Sequence, residues 1–392
     1  MEGAPADGRW VGESVDGRQW TAQPSSPRPS RVADRRRSRH GGVSAIIAVG
    51  ENLEVECRKR GTEDDLRRAT GAMTGADLGI EDLEAQRVPL TGFCYRMLGS
   101  AADSDDAVQE TLVRAYRNLA SFDPARGRLT TWLYRIAGNV CIDMLRGARR
   151  RALAIDMGPA ARDGELGTPL PADRFVEPMP DSRLFGVTDP AERVVGRETV
   201  RLAFLAALQR LSARQRAALV LRDVMAFSAQ ETAEVLGTSV ASVNSALQRA
   251  RAALAADPPG PADVLDPENA AQRNLLDRYV AAFEAHDVAG LARLLREDAM
   301  SSMPPFAWWL SGASRITAVM AASDACAGDR LVPTAINGSP GFGQYRPGPD
   351  GELRPFALIL LELRGGRVAH IVTFLGTAGR FAEFGLPERA PR

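Results

Sequence analysis

Residues 227–254, FSAQETAEVLGTSVASVNSALQRARAAL, constrain this chain more than any other stretch. Ser228 followed by Glu231 is the S-x-x-E pattern in which two side chains satisfy each other's orphan backbone donors at a helix start. Ala233 and Leu236 give that short helix an inner face. Gly237 then supplies the residue best suited to left-handed helix termination. Thr238 or Ser239 caps a second helix, in which Val240, Val243, Leu247, Ala250 and Leu254 recur at spacings of three and four. Ser239, Ala241, Ser242, Asn244, Ser245, Gln248 and Arg249 fall outside that stripe. They are small, polar or basic, with no acid among them. A helix, a glycine turn and a helix with such an outer face suit a reader of the DNA major groove. A helical hairpin inside a larger bundle is the plainer alternative. A preceding helix over 211–225, with Ser212 and Gln215 as a second capping pair and Arg214, Arg216 and Arg222 along it, favours the DNA-binding reading.

Net charge is zero over 392 residues, so only local charge bears on nucleic acid. Residues 197–254 carry eight arginines against four acids, 8 − 4 = +4. Cys57, Cys94, Cys141 and Cys326 are far apart, and His40, His286 and His370 are equally scattered. The sequence therefore implies no metal site, disulfide scaffold or cofactor. No apolar run approaches the roughly 18 residues of a membrane span, and no signal-peptide core is visible, so a cytoplasmic protein without a membrane partner is expected.

Residues 1–80 read as a disordered Arg-rich extension, with Met73 a plausible start. Residues 81–151 read as a helical domain. Asp103 or Ser104 caps its first long helix, whose inner face is Ala107, Val108, Leu112, Ala115 and Leu119, with Asp105, Asp106, Gln109 and Glu110 near its start. Thr130 or Thr131 opens a second, striped by Trp132, Leu133, Ile136, Val140, Met144 and Leu145. Its basic end (Arg146, Arg149, Arg150, Arg151) suits either a helix C-terminus or DNA. Residues 152–190 read as an acidic, proline-rich linker belonging to neither neighbour. Residues 191–256 hold the helix-turn-helix and 257–271 a second linker. From 272 to 387 helices over 268–285, 288–296 and 311–325 precede strands over 331–336, 343–345, 356–363 and 368–374. Gly365-Gly366 signals a hairpin, and helices followed by an antiparallel sheet make an α+β domain.

With these residues in view the chain resembles bacterial sigma-70-family sigma factors of the extracytoplasmic-function type. DAVQETLVRAYRNLASF and TTWLYRIAGNVCIDMLR resemble region 2, and LSARQRAALVLRDVMAFSAQETAEVLGTSVASVNSALQRARAAL resembles region 4. The tail, through YVAAFEAHDVAGLARLLREDA and RVAHIVTFLG, is similar to SnoaL-like domains of the nuclear-transport-factor-2-like superfamily. Such cone-shaped tails mark a subgroup that includes the sigma factor G and J types, and RPFALILLELRGGR points to the G type.

The resemblance implies core RNA polymerase and promoter DNA as partners, and leaves an anti-sigma factor or a small-molecule ligand at the tail open. It assigns Asp106, Gln109 and Glu110 to the polymerase. It assigns Phe122, Arg126, Arg135, Asn139, Asp143 and Arg146 to the −10 element and its melting. Ser239, Ala241, Ser242, Asn244, Ser245, Gln248 and Arg249 would face the −35 element. Trp132 and Tyr134 are possible base platforms, although Trp132 also fits the apolar stripe. The family usually carries basic residues where this chain has Gly138, Asn244 and Ala246. The acidic linker fits the segment that occupies the RNA path. The tail is expected to regulate in cis without chemistry. Catalysis there would require His286, His370, Asp298 or Asp324 to meet in a cavity lined by Met303, Phe306, Trp308, Trp309, Tyr345 and Phe374. A ligand-sensing repressor would explain the helix-turn-helix and the tail but not residues 81–151.

Overall fold

A computed structural model describes residues 78–125, 127–148, 150–185, 196–254 and 265–390. The expected N-terminal extension lies almost wholly outside them, as does Arg126. The described residues divide into two compact units, one holding those of 78–153 and 172–254, the other those of 154–171 and 265–390.

The first unit is helical. Its elements are α1 (Ile80–Glu84), α2 (Arg87–Leu98), α3 (Ala101–Arg117), α4 (Leu129–Met144), α5 (Asp181–Leu184), α6 (Leu202–Gln209), α7 (Ala213–Leu219), α8 (Ala229–Leu236) and α9 (Val240–Ala253). Helix α3 starts earlier than expected. Ser100, not Asp103 or Ser104, is its cap and accepts from the Asp103 amide at 3.1 Å. Ser104 is instead buried one turn inside, its hydroxyl donating back to the Ser100 carbonyl. Helix α4 starts at Leu129 with no side-chain cap, so neither Thr130 nor Thr131 has the role expected of it. The cores of α2, α3 and α4 meet through Leu90, Phe93, Met97, Val108, Leu133 and Val140, all buried.

The second unit is built on a six-stranded sheet among the described residues. Helices α10 (Ala270–Glu284) and α11 (Val288–Leu294) lead into strands β1 (Leu295–Ser302) and β2 (Trp309–Ser311), then α12 (Ala313–Ala321). Strands β3 (Arg330–Ile336), β4 (Ser339–Pro347), β5 (Leu353–Arg364) and β6 (Arg367–Leu375) complete it, in the order β2-β1-β6-β5-β4-β3. Two features depart from the sequence reading. β1 takes over where a helix was expected to run on to 296, and it pairs parallel to β6, so the sheet is mixed. Pairing between residues some 70 positions apart leaves no local trace. The β5–β6 hairpin forms as expected. Arg364 opposes Arg367 across Gly365 and Gly366, whose φ values of 60° and 72° are the left-handed pair that a tight two-residue turn demands.

One sheet face packs on the helices. Tyr279 and Phe283 of α10 and Leu291 and Leu294 of α11 close on Phe342, Ile359, Leu361 and Ile371. Removing one such aromatic would cost about 3–5 kcal/mol. Across the sheet, Tyr345 packs edge-on against Phe381 of the C-terminal segment at 5.1 Å. Phe374 pairs with Leu358, next to the inward Ile359, and so shares that outer face. Tyr345 and Phe374 therefore do not line a cavity with Met303 and Phe306, which pack on the helix side.

Segment 154–171 does not behave as a free linker. It lies along the β2 edge, with Ala161 and Leu166 against the core on the helix side. The Ala161 amide donates to the Trp309 carbonyl at 2.7 Å, and the Leu170 amide to Pro305 at 2.8 Å. The indoles of Trp308 and Trp309 donate to Asp163 and Gly158 carbonyls at 3.0 and 2.9 Å. Arg315 donates to the Ala161 carbonyl at 3.1 Å. Composition marked the segment as non-helical; it could not show that two tryptophans 145 and 151 residues downstream would hold it.

Candidate nucleic-acid interface

The helix-turn-helix is assembled by its caps. Ser228 accepts from the Glu231 amide at 3.1 Å while Glu231 accepts from the Ser228 amide at 2.8 Å. Gly237 ends α8 at φ 58°, and Ser239 caps α9 by accepting from Ser242 at 3.2 Å. Val243, Leu247 and Ala250 are buried. Ser239, Ala241, Ser242, Asn244, Ser245, Gln248 and Arg249 are all exposed. Arg251 turns the other way, with Nε and Nη2 gripping the Asp223 carboxylate at 2.9 and 2.7 Å. That fork ties the end of α9 to the turn after α7. It was not anticipated from sequence, because its partners lie 28 residues apart.

On α3, Asp106, Gln109 and Glu110 are exposed, with Glu110 accepting from Arg114 one turn on at 2.6 Å. Val113 and Tyr116 add large apolar surface beside them, 37% and 58% exposed. Sequence reasoning passed over both. The available signal was their position off the stripe formed by Val108, Leu112 and Ala115.

On α4, Arg135, Asn139, Asp143 and Arg146 are exposed, each one helical turn from the next. Arg146 donates to Asp143 at 2.7 Å, so this end of the stripe is partly self-neutralised. Phe122 and Trp132 are both half-buried and stack at 5.3 Å and 41°. Trp132 is thus part of an aromatic pair at the surface and not the core residue its apolar spacing favoured. Tyr134 is instead buried, its phenol pushed up by burial. Arg96 and Arg216 are interior cations bonded to neutral groups: Gly92 and Thr199 for Arg96, Gln209 and the Met97 carbonyl for Arg216. Burial lowers each guanidinium to about 10.

In the sheet unit the candidate catalytic groups do not converge. His370 is buried in β6, its Nε2 2.8 Å from the Ser302 hydroxyl, and burial lowers its pKa despite Glu362 nearby. Asp298 is exposed and held by Arg296 at 2.7 Å. His286 occupies a left-handed turn at φ 52°, and Asp324 caps a turn by accepting from Ala327 through its carbonyl.

A long acidic-faced helix, a helix bearing an exposed polar stripe beside an aromatic pair, and a capped helix-turn-helix are the features expected of a sigma-70-type initiation factor. The Sigma-70 region 2 family matches residues 84–151, and the Sigma-70 region 4 family matches 201–254. The chain is 43% identical over 313 residues to the ECF RNA polymerase sigma factor SigG of Mycobacterium tuberculosis, covering 78% of this chain and 83% of that one. It is 34% identical over 219 residues to SigJ of the same species, covering 56% and 62%. The crystal structure of M. tuberculosis SigJ aligns with a TM-score of 0.51 at 24% identity, covering 79% of this chain and 100% of that one, a likeness of fold. This chain belongs to the extracytoplasmic-function RNA polymerase sigma factors. Its helical regions 2 and 4 are followed by an α+β domain. No helix among the described residues is long and apolar enough to cross a membrane.

Proposed function

We propose that this sigma factor binds core RNA polymerase in the cytoplasm through the outer face of α3. Asp106, Gln109 and Glu110 supply its polar contacts. The Phe122–Trp132 pair and the Arg135–Arg146 stripe of α4 engage the −10 element. The exposed face of α9, from Ser239 to Arg249, enters the major groove of the −35 element. The sheet domain regulates these modules in cis, and an anti-sigma factor or small molecule acting there would bias the same equilibrium.

The observation that carries cis regulation is the segment 154–171 strapped along β2. It is part of the covalent connection between regions 2 and 4, so whatever the sheet domain does to it is felt by both. Its hydrogen bonds are each worth about 1 kcal/mol net, strong enough together to bias the connector and weak enough to release. The testing experiment is transcription in vitro by core polymerase with the full chain and with a chain ending at residue 256, with start sites mapped. Specific initiation by both, differing several-fold in yield, is expected. A repressor would not direct core polymerase to a promoter, and equal yields would remove the regulatory role of the sheet domain.

A further inference from the structure

The core of region 2 holds a reactive pair that the proposed contacts with polymerase and DNA leave unused. Cys94 on α2 and Cys141 on α4 are free thiols, both fully buried. The two helices face each other there. The Phe93 and Tyr134 rings meet edge-on at 5.2 Å and 86°, and Cys141 stands about two turns beyond Tyr134 on the same side of α4. The Cys94 and Cys141 thiols are in hydrogen-bonding contact. Packed helices lie about 8–10 Å apart with Cα atoms on a radius of about 2.3 Å, which leaves about 3.4–5.4 Å between Cα atoms that face each other. A disulfide needs about 4.4–6.8 Å between its Cα atoms, so this pair can be joined with little movement of the backbone.

A buried cysteine is ordinarily an inert, small apolar residue. Two observations set these apart. Each sulfur is the other's polar neighbour, and the Arg216 guanidinium of α7 lies close enough to Cys141 to favour its thiolate. Nε of Arg216 is buried without a hydrogen-bond partner, while Nη1 is held by the Met97 carbonyl, one turn on from Cys94, and by Gln209 at 2.7 Å. An anionic sulfur, or the oxygen of an oxidised one, is an acceptor of the kind that this donor lacks. Burial and the Cys94 thiol act against the guanidinium and push Cys141 up, so the closed core keeps the thiol neutral and slow. Reaction therefore waits on local opening of the core.

We propose that Cys94 and Cys141 form a reversible disulfide, made by hydrogen peroxide and undone by two equivalents of a small thiol, which leave as their own disulfide. Cys141 gives up its proton and attacks the peroxide. An S–O bond forms, the O–O bond breaks, and the departing hydroxide takes up that proton as water. Cys94 then attacks the Cys141 sulfur. The S–S bond forms, the S–O bond breaks, and hydroxide leaves with the Cys94 proton as a second water. Two electrons pass from the two sulfurs to one peroxide. The bond ties positions 141 − 94 = 47 apart, so it restrains the unfolded chain and raises the melting of region 2. The proposal stands apart from how α4 is used on DNA.

The full chain carrying Cys57→Ser and Cys326→Ser retains Cys94 and Cys141 as its thiols. It is exposed to hydrogen peroxide well below its melting temperature, quenched with catalase, and alkylated in denaturant before mass spectrometry. Both thiols should disappear together, the intact mass should fall by two hydrogens, and digestion should yield one joined pair of peptides holding Cys94 and Cys141. Dithiothreitol should restore both thiols, and the oxidised chain should melt several degrees higher than the reduced one. With Cys94→Ala added, oxidation should stop at a sulfenic acid on Cys141 that dimedone traps, with no rise in melting. Circular dichroism checks that this variant is folded; where it is not, the joined peptides and the melting shift of the parent chain decide alone. Survival of both thiols in the folded chain, while a urea-unfolded sample is oxidised, overturns the proposal. So does a disulfide found only between two chains, or an oxidised chain that melts no higher than the reduced one.

Discussion

Arg249 and Arg251 are two residues apart on α9 and serve opposite ends. Arg249 is exposed on the face proposed to enter the groove, whereas Arg251 is spent on Asp223, whose side chain is only 9% exposed. Arg249→Ala should reduce −35-dependent transcription by about 1–3 kcal/mol of lost discrimination if it reads a guanine, with no change in the melting of region 4. Arg251→Ala should do the reverse. It strands a buried carboxylate and should lower region 4 stability by about 1–3 kcal/mol, measured by thermal denaturation. Helical periodicity alone separated Arg249 from the inner stripe. It could not reveal the partner of Arg251, nor that the glycine at 138, where the resemblance leads one to expect a cation, is buried facing Val235 of α8. Both answers lie in contacts between segments distant in sequence.

Helix α3 presents one surface in which charge, amide and apolar groups are interleaved. Replacing Asp106, Gln109 and Glu110 together with alanine should weaken binding to core polymerase, followed by size-exclusion or anisotropy titration. Helicity should be retained, since all three point away from the core formed by Ala107, Val108 and Leu112. Strands β1, β5 and β6 carry a different sensitivity. His370 is kept neutral by burial, against the weaker opposing pull of Glu362. Its folded pKa lies below the ordinary 6.5. The stability it contributes is therefore present above that value and is lost as pH falls through it toward the folded pKa, because the unfolded chain then binds the extra proton. Melting of the sheet domain should drop below pH 6.5 more steeply in wild type than in His370→Gln. Elements with local punctuation were legible in the sequence: α8 and α9 through Ser228, Glu231, Gly237 and Ser239, and the β5–β6 hairpin through its glycine pair. β1 was not, since its leucine-rich entry continues the α11 pattern without a turn residue, and its strand character comes from pairing with β6.

At the scale of the whole molecule, the strap joins the sheet domain to the chain's DNA-reading half through the backbone itself. Replacing Trp309 with alanine removes the indole that holds Gly158 and part of the strap's apolar seat. Trypsin should then cut faster at the exposed Arg162, and transcription in vitro should shift in the same direction as on deletion of the sheet domain. Unaltered cleavage would mean the strap is held by the backbone bonds to Trp309 and Pro305 alone. The sequence pointed to three folded segments in order, whereas the described residues fall into two compact units, with regions 2 and 4 in one of them. It did not disclose that a proline-rich acidic stretch is part of one of them, since edge pairing leaves no pattern in the residues it recruits.

That strap also sets a length. From Gly158, its first residue bonded to a tryptophan, to Pro171 the strap numbers 171 − 158 + 1 = 14 residues, and an extended chain spans at most about 3.3–3.6 Å per residue, so its release returns at most roughly 46–50 Å of contour to the tether between regions 2 and 4. A promoter fixes the separation those readers must cover. On the proposed regulation in cis the sheet domain acts as a reel: with the strap wound in, the two modules share a short leash and only near positions are within reach, and with it paid out they can span a site that the shorter leash forbids.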